Sequence, residues 1–205
     1  MIDTALSKYQ SLITDLSWVG NYGGLTKLVK KAGDSDIQYP VSQNVSFEQC
    51  WNGGIYNKLV PDDGANSIVY FEQVGSTTNG EGSNISSRAN TYTTPVRMYA
   101  WINLNKIGIE HTTDKSPFVN DLLKIFKVAK TGSGARFEVQ VTEIESDDVV
   151  KEQFSKYNYK NFEKLLYYPY MAITIRMNIN QVGDLDCYAA AMTYEDIECK
   201  NYAYS

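Results

Sequence analysis

Few residues in this 205-residue chain are of types that do chemistry, and their spacing argues against a site. The one histidine, His111, lies in the polar connection Glu110-His111-Thr112-Thr113-Asp114. A general base needs a partner that orients it. The polar neighbours of His111 form no local nucleophile–base signature, and a lone histidine in a loop is far more often solvated than catalytic, so it reads as a solvated loop residue. The cysteines, Cys50, Cys187 and Cys199, stand far apart with no C-x-x-C spacing. Neither a Cys–His dyad nor a zinc tetrad follows from that pattern. Residues 75–82 are rich in glycine, but no Gly-Lys-Ser/Thr follows and no helix begins there, so they are not a phosphate cradle. Residues 131–135, Thr-Gly-Ser-Gly-Ala, follow a helical pattern and read as a turn. Carboxylates cluster at Glu143, Glu145, Asp147 and Asp148. A carboxylate pair can serve a glycosidase or hold Ca²⁺. Here there is no EF-hand pattern, and acidic residues ahead of a helix normally act as solvated capping charge. The expectation is therefore a protein with no catalytic residue, no metal site and no cofactor, and not an enzyme.

Composition narrows the partners. The formal net charge is −5 and the sequence pI about 5.0. A nucleic-acid groove needs clustered Lys and Arg to displace counterions, and a lipid-surface helix needs a basic face. Neither is expected. The opening Met1-Ile2-Asp3-Thr4 has no basic region leading into an apolar run, and no stretch reaches the ~18 apolar residues of a membrane span. The expectation is synthesis in a cytoplasm without membrane contact, the three thiols being reduced, buried or incidental, since they lie far apart and an odd number cannot all pair. The N-x-S matches at Asn44 and Asn84 carry no weight without a secretion route. Tyrosine is abundant, with 16 copies. Its large ring with a polar tip suits both interfaces and sheet surfaces.

The elements are organised around residues 167–180, Tyr-Tyr-Pro-Tyr-Met-Ala-Ile-Thr-Ile-Arg-Met-Asn-Ile-Asn. Met171, Ile173, Ile175, Met177 and Ile179 alternate with Thr174, Arg176, Asn178 and Asn180, which predicts a half-buried strand. Before it, Ile2, Ala5, Leu6, Tyr9, Leu12, Ile13 and Leu16 repeat at helical spacing, and Gly20 to Gly24 should end that helix. Residues 25–31 suggest a strand and 32–36 a turn. Residues 37–41 form at most an edge strand because of Pro40, and 45–51 alternate weakly. Gly53-Gly54 and residues 61–64 break the pattern, and 67–74 form a strand. Ser116-Pro117 opens a second amphipathic helix through Val128, with Ser116 as its cap. A strand is predicted over 136–144, with Phe137, Val139 and Val141 inward. A short helix is predicted over 147–157, continued by 161–167. Residues 182–184 should turn the chain into a last strand over 185–192, with 193–205 a polar arm. The predicted fold is one α+β domain spanning 1–205, its sheet mostly antiparallel and its amphipathic helices packed on one face.

Two segments are candidates for contact with partners. Residues 75–90 hold one large aliphatic side chain, Ile85, too little apolar surface to offset the entropy of ordering. They read as a long mobile loop or hairpin tip that orders on a partner through Gly75, Asn79, Glu81, Asn84 and Arg88. The alternative is a passive insertion. The strand over 95–104 turns Val96, Met98, Ala100, Ile102 and Leu104 one way and Arg97, Tyr99, Trp101 and Asn103 the other. The second face is either solvated or covered by a neighbouring subunit, so Arg97, Tyr99, Trp101 and Arg176 are the candidate subunit interface.

An N-terminal amphipathic helix, then strands, then a Ser-Pro-initiated helix, and a late Tyr-Tyr-Pro-Tyr step into a long alternating strand make a recognisable order. That layout resembles the tail-terminator, tail-completion and neck (head–tail connector) proteins of bacteriophages. The resemblance implies a non-catalytic virion subunit made in the host cytoplasm, forming a hexameric or dodecameric ring against portal, neck or tail proteins. DNA would pass through an acidic lumen without sequence-specific contact, and residues 75–90 would face the lumen or the next ring. The chain is longer than a compact terminator, and residues 37–63 have no counterpart in that layout. A carbohydrate- or cell-surface-binding module is the alternative. Exposed Tyr or Trp on a concave face would favour the module, and non-self-matching side surfaces would favour the ring.

Overall fold

The computed structural model describes residues 2–31, 34–42, 59, 61, 63–81, 89–110, 112–128, 136–155 and 162–184. Its seven strands are β1 (Asn21–Lys31), β2 (Asp34–Ser42), β3 (Ser67–Gln73), β4 (Thr78–Glu81), β5 (Ala89–Asn103), β6 (Arg136–Ile144) and β7 (Tyr170–Asp184). The helices are α1 (Ile2–Thr14), α2 (Ser116–Val128) and α3 (Asp147–Ser155), with a 3₁₀ turn at Phe162–Leu166. One mixed sheet runs β2-β1-β3-β5-β7-β6, and β4 pairs with β5 beyond the end of β3. All pairings are antiparallel except β1 with β3. The α+β class predicted above is therefore the observed one.

The alternating residues of β7 behave as their spacing predicts. Met171, Ile173, Ile175, Met177 and Ile179 are all buried in the main core, beside Val96, Met98, Ala100 and Ile102 of β5. Successive side chains point to opposite faces, so one face of both strands is apolar by construction. The two long amphipathic helices cover that face. From α1 come Ala5, Leu6, Tyr9 and Ile13; from α2 come Phe118, Val119, Leu122, Ile125 and Phe126. Each such large side chain contributes roughly 1.5–3 kcal/mol when fully buried. Edge-on ring pairs, Tyr9 with Phe126 at 5.5 Å and Trp18 with Phe118 at 5.4 Å, tie the helical layer together. Burial pushes the Tyr9 phenol above its ordinary pKa. The third helix, α3, does not join this layer. Its Val150 and Phe154 pack on the opposite face with Leu59, Ile68, Tyr70, Tyr99 and Trp101.

Several boundaries differ from the sequence expectation. The Gly23-Gly24 pair does not end an element but lies inside β1, where pairing with β3 shifts register between Tyr22 and Leu25. A β-carbon on Gly23 would sit 2.5 Å from Leu59 Cδ2, and Gly24 has φ of +62°. The pair is a glycine-dependent irregularity within a continuous strand. Gly24→Ala should cost about 1–2 kcal/mol of folding stability, the penalty of an L-residue in the left-handed region, read by urea unfolding. Residues 34–36 belong to β2 rather than to a turn, and β2 is an edge strand, which is where Pro40 can be tolerated.

Pro95 lies in the middle of β5, at the break between β3 and β4. Its carbonyl accepts from Val74 N–H at 3.1 Å, and its own missing donor faces this gap in the ladder. Residues 182–184 do not turn; they continue β7, with Gly183 opposite Asn90. For α2, Asp114 rather than Ser116 supplies the accepting oxygen, taking the Ser116 N–H at 2.9 Å. The first helical carbonyl is Lys115, bonded to Val119 N–H. Hydrogen bonds from Ser116 hold the Asp114 carboxyl below the usual carboxylate range. The readings of residues 45–51, 53–54, 131–135, 185–192 and 193–205 lie outside the described residues.

Candidate functional site

The predicted interface side chains share one face of the sheet, but the chain itself covers half of them. Tyr99 and Trp101 are each only 1% exposed. Trp101 stacks on Tyr170 with ring centroids 5.3 Å apart, and its Nε1 donates to the Leu165 carbonyl at 2.7 Å. Tyr99 stacks on Tyr70 at 5.1 Å. The lid over them is α3 and the 3₁₀ turn, whose Val150, Phe154, Leu165 and Leu166 join this second core. The expectation that this face is solvated or covered by a neighbouring subunit is corrected for these two aromatics. Their cover is intramolecular.

Arg97 and Arg176 lie farther along the same face, directly opposite one another on β5 and β7. Like charges in that register repel. Carboxylates on both flanks offset them, since Glu72 is in register with Arg97 and Glu143 with Arg176. Glu145 binds Arg97 with both oxygens, Nη2–Oε1 and Nε–Oε2 each at 2.6 Å. The second contact is a close charge pair at the same distance. Tyr99 completes the network, donating to Glu72 at 3.2 Å and accepting from Arg97 at 3.4 Å. Burial alone would lower the Arg97 pKa, but the bonds to Glu145 and Tyr99 outweigh it and raise it above the ordinary guanidinium value. Arg176 is exposed. Of the four predicted residues, it alone is exposed.

The predicted partner loop is partly a strand. Residues 78–81 pair with 90–93 of β5 as one arm of a hairpin, which places Asn79 and Glu81 in β4. Gly75 stands at the break before β4, where an added β-carbon would meet Pro95 at 2.8 Å. Asn84 and Arg88 lie outside the described residues, as do His111, Cys50, Cys187 and Cys199. The acidic cluster disperses: Glu145 turns to Arg97, while Asp147 pairs with Lys115. Among the described residues no three His, Cys, Asp or Glu side chains converge as metal ligands do. No described helix is long and apolar enough to cross a membrane.

A concave site that composition and spacing did not single out lies where β7 begins. A pocket of about 240 Å³ opens between the connection after β5, the start of α3 and the step from the 3₁₀ turn into β7. Val150, Leu166, Met171 and Ala172 form its apolar part, and Thr113, Lys115, Asp147 and Lys151 bring polar groups. Tyr167 and Tyr168 line it while remaining 60% and 49% exposed. The Tyr168–Pro169 bond is cis. Tyr170 is anchored below, its hydroxyl donating to Asp63, and that bond raises the phenol pKa.

The pocket exists because β6 stops short. Its last ladder partner is Ile175, and the Glu145 N–H then caps the Thr174 carbonyl. Peptide groups two residues apart point the same way along a strand. Those of Ala172 therefore face the side on which no strand continues. The sequence signal available was the Tyr-Tyr pair placed before the alternation starts, outside the strand's apolar row. Compared with models of known protein families and with curated protein sequences, the chain matches none.

Proposed function

We propose that this chain is a non-enzymatic structural subunit that acts by closing into a homo-oligomeric ring, standing in a virion at the phage head–tail junction or tail end. The observation that supports self-assembly is the open sheet. Its terminal strands β2 and β6 are nine residues each, and among the described residues each is paired on one side only. The pairings give them the same direction, so β6 of one subunit laid on β2 of the next would extend the sheet in parallel. On β6 the peptide groups of Phe137, Val139 and Val141 point away from β7. Unpaired edge groups of this kind are a template for another chain. The two edges differ in sequence, so the contact is head-to-tail, the type that closes a cyclic ring.

The phage assignment, with its portal, neck or tail neighbours, rests on the resemblance in layout. The net charge of −5 fits a lumen through which DNA passes without adhering. The β4–β5 hairpin is the element available to reach a neighbouring component. Native mass across a concentration series is the test. A closed species of several subunits is expected without any ligand. A monomer at every concentration would move the assignment to the second reading, a carbohydrate-binding module. That reading is favoured by one observation, the exposed Tyr167 and Tyr168 on the pocket.

A further inference from the structure

We propose that the pocket at the start of β7 binds a single acidic pyranose unit, a uronate, through Tyr167, Tyr168 and Lys151. The inference rests on the carbohydrate-binding reading and not on the ring. Three large hydrophobic side chains are exposed among the described residues, and two of them, Tyr167 and Tyr168, line this one cavity. An aromatic ring carries negative charge on its face, which attracts the polarised C–H face of a sugar ring and gives no advantage to water. The volume of about 240 Å³ lies below the ~300–1,000 Å³ typical of drug-sized sites, which suits one ring rather than a chain. Polar groups stand beside the apolar floor, as a site for a hydroxylated ring requires. Asp147 can accept from sugar hydroxyls, Thr113 can donate or accept, and Ala172 offers peptide groups on the open side of β7.

Charge selects the acidic sugar. Among the described residues the lining holds two ammonium groups, Lys115 and Lys151, against one carboxylate, Asp147. Asp147 is engaged with Lys115. Among the described residues Lys151 has only a 3.9 Å contact with Asp148, a carboxylate whose side chain is 91% exposed. A pair that long and wet contributes little. Lys151 is thus available to a ligand carboxylate at the pocket.

The test is a titration of the full chain with glucuronate, galacturonate, glucose and N-acetylglucosamine at low salt, followed by the amide NMR spectrum. Uronates should shift the amides of Lys151, Tyr167 and Ala172, and bind up to about fivefold tighter than glucose, the range of one exposed ion pair. Tyr167→Ala should weaken uronate binding about tenfold. Lys151→Gln should bring uronate affinity down to that of glucose. Glucose binding as tightly as glucuronate would overturn the acidic preference. Uronate binding unchanged in both variants would overturn the site while leaving the carbohydrate reading standing. No shift with any of the four sugars would overturn both.

Discussion

Trp101→Ala should cost about 3–5 kcal/mol of folding stability, the range for deleting a buried aromatic from a core. A domain of this kind has roughly 5–15 kcal/mol in total, so the loss is a large share. Three features place Trp101 at that range. It is 1% exposed, it is stacked on Tyr170, and its indole N–H is satisfied by the Leu165 carbonyl. Truncation would leave that carbonyl without its donor and remove the platform on which the 3₁₀ turn and α3 sit. Trp101→Phe keeps most of the packing and loses the hydrogen bond, so its cost should be nearer ~1 kcal/mol. Tyr167→Ala is the local control, since Tyr167 is 60% exposed and its loss should stay within about 0.5 kcal/mol. Urea midpoints of the three variants give the comparison. A cost below about 1 kcal/mol for Trp101→Ala would mean that the second core does not hold α3 to the sheet.

The same residue shows where the sequence runs out. Alternation assigns Arg97, Tyr99 and Trp101 to one face of β5, because the side-chain period of a strand is two. Periodicity names a face but not what covers it. The cover over Trp101 comes from Leu165, 64 residues along the chain, and the partner of Arg97 from Glu145, 48 residues along. No local pattern encodes such meetings. The apolar rows of β7, α1 and α2 were legible because each has to face a core wherever the core is. The interior glycines of β1 were not, because Gly-Gly reads as a stop unless one knows that Leu59 and Tyr70 press against it.

The parallel pairing of β1 with β3 has no local signature either. For the candidate sites, the hairpin arm at residues 78–81 reads as loop because Thr-Asn-Gly-Glu lacks strand composition, and its pairing with β5 overrides that. The pocket tyrosines were visible as a cluster. Only the termination of β6 at Ile144 leaves room beside them.

Arg97→Met should cost about 2–4 kcal/mol, because it strands the Glu145 carboxylate. The Glu145 side chain is 4% exposed and Arg97 19%, so the pair sits largely out of water, and both arms of the contact are 2.6 Å. Taking ions out of water is expensive, and their attraction offsets that cost only while both are present. The partners are not equivalent in their surroundings. Arg97 is also hydrogen-bonded to Tyr99 and flanked in register by Glu72, so Glu145→Gln leaves the guanidinium with other acceptors. It should cost less than Arg97→Met.

Arg97→Met combined with Glu145→Met removes both charges and fills the space with side chains of similar length. Replacement of a buried pair by apolar groups is often close to neutral, so the double variant should recover most of the single loss. The coupling read from the cycle of Arg97→Met, Glu145→Met and the double variant should be about 2 kcal/mol or more, and little changed by salt, since screening acts weakly on pairs away from solvent. A coupling under about 0.5 kcal/mol, fading as salt is added, would mark the pair as a solvated surface contact. The carboxylate would then be free to leave the sheet, and Arg97 would join Arg176 as a charge presented to a neighbouring subunit. A tight coupling keeps Arg97 as internal structure, and Arg176 alone remains of the predicted face for contact with another molecule.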